Sequence, residues 1–117
     1  MFKEVLHGDQ LDDDLIWAMW SYCPALRQLN VPLPVILTAN FLCVKGYRLK
    51  TRHHSAVTSQ IDVTDFSLPT MQITDWSNIE KIEKVALALK PAVDVLWNAT
   101  GFERSFSYQV NGAWRGQ

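Results

Sequence analysis

Apolar positions in the first third of the chain recur with a helical period. Leu11, Leu15, Ala18, Met19 and Tyr22 share one stripe at about 100° per residue, widened by Ile16, Trp20 and Cys23. Asp9 or Asp12 is the expected N-cap, and the acidic run Asp12-Asp13-Asp14 suits the positive end of a helix dipole, so a helix is predicted from Leu11 to Cys23. Trp17 falls outside the stripe, beside Asp13, Asp14 and Ser21. Pro24 is tolerated in a first helical turn, which predicts a short second helix through Leu29. The next segment, from Pro34 to Lys45, is apolar on all sides; its length, the proline at its start and the Lys45-Gly46 stop favour a third helix.

After that stop the period changes to two. Tyr47, Leu49 and Thr51 point one way and Arg48, Lys50 and Arg52 the other, while Val57, Ser59, Ile61 and Val63 alternate with polar residues. An antiparallel pair joined by a loop around His53 to Ala56 is expected. Residues 65–73 read as loop or a short edge strand, limited by Pro69. Ser77-Asn78-Ile79-Glu80 has the form of a capping box and opens a helix with Ile79, Ile82, Val85, Ala86 and Leu89 on one side. Pro91 should break or kink it, with a further helix ending before Gly101. Asn111-Gly112 between alternating residues predicts a hairpin with a two-residue type I′ turn. The expected architecture is α+β: a single compact domain over residues 1–117, with about four helices packed on small antiparallel β-hairpins.

Composition supports a folded chain. Of 117 residues, 48% are hydrophobic and 20% charged, outside the regime in which chains stay disordered. Eleven Lys and Arg against twelve Asp and Glu leave no overall charge to drive non-specific nucleic-acid binding. The start has no basic region followed by an apolar run, and no membrane-length apolar stretch occurs, so a soluble cytoplasmic protein with no membrane partner is expected. Cys23 and Cys43 lie in apolar segments and are expected to be buried thiols.

Candidate chemistry is sparse. His53 and His54 are neighbours on a strand and point apart, and consecutive aspartates on a helix spread over about 200°, so no metal site is expected. Neither a nucleophile elbow nor a phosphate-cradling glycine loop can be written, so neither an enzyme nor a cofactor is expected.

Recognition of another macromolecule remains. The predicted order of helix, short helix, helix, strand, loop and strand resembles a winged helix-turn-helix over roughly residues 11–64, on topology alone. The resemblance implies nucleic-acid binding through the basic strand and wing at 45–54, with Arg48, Lys50, Arg52 and His54 as phosphate contacts. The third helix would offer only Thr38, Asn40 and Lys45 to base edges, a poor reading face. The favoured expectation is therefore a non-catalytic protein-interaction or regulatory accessory module. It would bind a protein partner or itself, with Trp17 and Trp114 as exposed anchors because tryptophan buries a large area at little entropic cost.

Overall fold

The computed structural model describes residues 5–51 and 59–116. Strand β1 (Val5–His7) runs directly into helix α1 (Gly8–Gln28). Four short strands follow: β2 (Val35–Leu37), β3 (Asn40–Phe41), β4 (Arg48–Lys50) and β5 (Phe66–Ser67). Strand β6 (Met71–Ile73), a 3₁₀ turn (Trp76–Ile79) and helix α2 (Ile82–Ala99) complete the described elements. The α+β class is as expected, but the count of about four helices is wrong: the described residues hold two α-helices and one 3₁₀ turn.

The first two expected helices are one. Pro24 lies inside α1, and its ring faces solvent. The missing N–H frees the carbonyl of Trp20, and an exposed flank lets water reach such a group, so the helix continues. Pro91 behaves alike inside α2: it is exposed, and the carbonyl it frees belongs to the exposed Leu87. Neither proline ends its helix because neither ring has to enter the packed side.

The expected third helix is a strand limb. Residues 35–47 run antiparallel to 61–73 in one bent ribbon. Val35 pairs with Ile73 and Leu37 with Met71, then Asn40 with Ser67 and Phe41 with Phe66. Hydrogen bonds from Val44 N to Thr64 O and from Gly46 N to Ile61 O, each 2.8 Å, carry the antiparallel pairing onward, with one-residue shifts of register along it. Val35, Leu37, Ala39 and Phe41 turn inward while Ile36, Thr38, Asn40 and Leu42 are exposed. The segment alternates with period two, and apolar residues on both faces hid it. With no helix here, the winged-helix resemblance over 11–64 fails.

The expected partner of the basic strand is half right. Ile61 N donates to Tyr47 O, at the start of the predicted antiparallel pair, but β4 itself pairs in parallel with β1, Leu49 beside Leu6. The expected loop around His53 to Ala56 lies outside the described residues. At the capping box, Asp75 does the capping: its Oδ1 accepts from Ser77 N at 3.0 Å and opens the 3₁₀ turn, and α2 starts later, at Ile82.

Helix α2 forms the centre of the core with Val85, Ala86, Leu89, Ala92, Val93, Leu96 and Trp97 buried. Its end is a Schellman stop. Phe102 N donates to Trp97 O and Gly101 N to Asn98 O, and Gly101 adopts φ 93°, the left-handed region that glycine enters freely. Phe102 packs back edge-on against Trp97, ring centroids 5.1 Å apart, and Phe106 completes the aromatic trio at 5.8 Å from Trp97. The terminal hairpin forms, but around three residues, Val110-Asn111-Gly112. Gly112 N donates to Gln109 O, Gln109 N to Ala113 O, and only Gly112 has positive φ, the pattern of a turn closed by a glycine bulge. Cys23 is buried as expected; Cys43 is exposed, contrary to expectation.

Candidate functional site

Helix α1 has two opposite faces, and each concentrates one kind of chemistry. Asp12, Ile16, Met19 and Cys23 are buried on the inner face, at spacings of four, three and four residues. Asp12 is therefore in phase with the core and does not act as a helix cap. Its Oδ2 accepts from Trp97 Nε1 at 2.9 Å, from Ser105 Oγ at 2.6 Å and from Ser107 Oγ at 2.8 Å. Its Oδ1 is buried with no hydrogen-bond partner among the described residues.

Removal from water disfavours the charged form of Asp12, and the carboxylate of Asp9 adds to the effect. The three donors oppose it, and the balance pushes the carboxyl from 3.8 up to about 6. Tyr108, whose hydroxyl donates to the Ala86 carbonyl, is also raised, first by burial and then by the carboxylates of Asp12, Asp94 and Asp13. Burial likewise raises the Cys23 thiol.

The outer face carries no charge between Asp14 and Arg27. Trp17, Ala18, Ser21, Tyr22, Pro24 and Ala25 are all exposed there, Trp17 by 43% and Tyr22 by 69%. Leu29, just past the helix, extends the apolar surface. Ser21 turns its hydroxyl inward onto Trp17 O at 2.8 Å, which makes this flank still less polar.

The two expected tryptophan anchors arrive on one side of α1. Trp114 is half-buried, and its Nε1 donates to Asp13 Oδ1 at 3.3 Å. Asp13 and Trp17 are one turn apart on the helix, so the terminal hairpin borders the outer face. Arg48 and Lys50 are exposed on β4 on either side of the buried Leu49. Arg52 and His54 lie outside the described residues, so the basic strand is described at two of its four expected contacts.

Sequence reasoning missed the Asp12 cluster. A signal existed in the phase of Asp12 with Ile16, Met19 and Cys23, but its donors lie 85, 93 and 95 residues away and carry no local mark. Among the described residues no three His, Cys, Asp or Glu side chains gather as they would around a metal ion, and no helix is long and apolar enough to cross a membrane. No family model, curated protein or solved structure matches the chain.

Proposed function

We propose that this chain is a non-catalytic interaction or regulatory module of a cytoplasmic assembly, which binds a protein partner through the outer face of α1. The observation that carries this reading is the run of exposed, uncharged residues centred on Trp17 and Tyr22. A contiguous apolar face of this kind marks contact sites, and large aromatic side chains supply most of the energy in such contacts. Trp114 and the terminal hairpin form the margin of the surface.

Trp17→Ala is expected to cost roughly 1–2 kcal/mol of stability, since somewhat more than half of the indole is out of water, and to leave the chain folded. It should weaken association tenfold or more, the loss of about 1.4 kcal/mol that a modest aromatic anchor supplies. Sedimentation of the purified protein reads self-association, and titration with a copurifying protein reads partner binding. If neither changes in Trp17→Ala or in Trp114→Ala while both variants stay folded, the reading is wrong.

A second reading is phosphate-backbone binding through β4, supported by Arg48 and Lys50 sharing its exposed face. Two phosphate contacts predict roughly a tenfold loss of affinity for duplex or single strands between 50 and 200 mM salt. Salt-independent binding, or none at the lower salt, removes this reading.

A further inference from the structure

One carboxylate joins three parts of the chain. Asp12 on α1 holds Trp97 of α2 and the two serines of the segment after Gly101, and Ser107 N donates in turn to Ser105 Oγ at 3.1 Å. All three donors meet at Oδ2, which leaves Oδ1 buried and unpartnered among the described residues. This asymmetry matters for a proton. Placed on Oδ1, it removes the charge and leaves Oδ2 still accepting all three bonds, each weaker than to a carboxylate, so the cluster can be closed in either state.

Among the described residues, the surrounding groups do not neutralise the carboxylate. On α1 the neighbouring ionisable residues are Asp9 and Asp13, both acidic. On α2 they are Asp94, which accepts from Ser105 N at 2.8 Å, and Lys90, which is paired to Asp94 at 2.8 Å. On β4 and just beyond it, Lys50 points to solvent and Thr51 donates to Asp9. The terminal segment contributes Tyr108 and Arg104, whose Nη1 is engaged by the Ser105 and Tyr108 carbonyls at 3.2 and 2.8 Å.

We propose that Asp12 is a proton-controlled latch: the segment from Phe102 to Gly116 is held against the two helices while the carboxyl carries a proton, and loosens when the proton leaves. Opening lets water reach the carboxylate, which relieves the burial that disfavours its charge. The sign follows from linkage. With the carboxyl at about 6 when closed and near its ordinary 3.8 when open, the proton binds the closed form more tightly. The extra closing tendency is complete below pH 3.8 and is lost as pH rises through about 6.

The test is hydrogen exchange at the amides of Ser105, Ser107 and Arg115, corrected for the intrinsic pH dependence of exchange, with α2 core amides such as Leu89 and Val93 as the reference. Their protection relative to that reference should fall about tenfold between pH 5 and 7.5. Asp12→Asn should flatten the profile. A flat profile in the unmodified chain, an equal slope in Asp12→Asn, or an equal loss of protection at Leu89 and Val93 overturns the latch. Should Asp12→Asn not fold, carboxyl-carbon NMR of the unmodified chain decides beside the exchange: a midpoint for Asp12 near 6 that coincides with the loss of protection at Ser105, Ser107 and Arg115 upholds the proposal, and one near 3.8 or one that does not track that loss overturns it.

Discussion

Asp12→Ala is expected to lower the free energy of unfolding by about 3 kcal/mol near neutral pH. Alanine leaves the indole N–H of Trp97 and the hydroxyls of Ser105 and Ser107 without their acceptor in a dry interior, at about 1–3 kcal/mol for each group that finds no new partner. Removing a buried charge offsets part of that loss, because the raised carboxyl is itself under strain when ionised. The offset disappears in acid. Asp12 is protonated below about 6 in the folded chain, so its contribution is greatest there and declines as pH rises. The penalty for Asp12→Ala should consequently be about 2 kcal/mol larger at pH 4.5 than at pH 7.5. Asp12→Asn keeps an acceptor oxygen for the three donors and should cost less than Asp12→Ala at both pH values. Urea unfolding of the three proteins at the two pH values measures all of this. A penalty for Asp12→Ala below about 1 kcal/mol would contradict the assigned hydrogen bonds, and one that grows with pH would contradict a carboxyl raised by burial.

The sequence is most informative where one face of an element is apolar and the other is not. The half-buried strand around Leu49 and the inner face of α2 from Ile82 to Leu89 were legible for that reason. Residues 34–45 misled because both faces of the ribbon limb carry apolar side chains, Ile36 and Leu42 being 59% and 69% exposed. Period two is then masked, and length and flanking residues favour the wrong element. Pro24 and Pro91 misled for a different reason. Proline's cost depends on which side of the helix it occupies, and a single sequence does not show that.

The site divides in the same way. Trp17 was legible as an outward residue because it sits out of phase with the apolar stripe, and the structure leaves it exposed. Ala18 and Tyr22 were assigned to the stripe, yet both are exposed. The true inner face is turned toward Asp12, Ile16 and Met19, away from Ala18 and Tyr22. A pattern drawn only from apolar residues cannot include a buried carboxylate, so it rotates the helix away from it. The partners that make Asp12 tolerable inside are serines and an indole from the far end of the chain. Serine and tryptophan have no local spacing that announces such a role, and only the closed fold brings them together.

Trp97 should be the other costly position, and its neighbour Gly8 makes the prediction specific. Trp97→Ala is expected to cost about 3–5 kcal/mol, through a cavity at the centre of the Phe102 and Phe106 cluster and the loss of a donor to Asp12. Gly8 opens α1 where the indole passes, and a Cβ there would stand 2.7 Å from Trp97 Cζ2 and 3.0 Å from Leu49 Cγ. The indole cannot easily move, since it packs in T-shaped contact with two phenylalanines and its N–H is fixed by Asp12. Gly8→Ala alone should therefore destabilise by about 1–3 kcal/mol, as overpacking does. Trp97→Phe removes the atom that the new methyl would meet. Combined with Gly8→Ala, it should cost at least about 1 kcal/mol less than the two separate penalties added together. Simple additivity in chemical unfolding would mean that the glycine does not make room for the indole, and the packing of α1 across α2 at this point would have to be different.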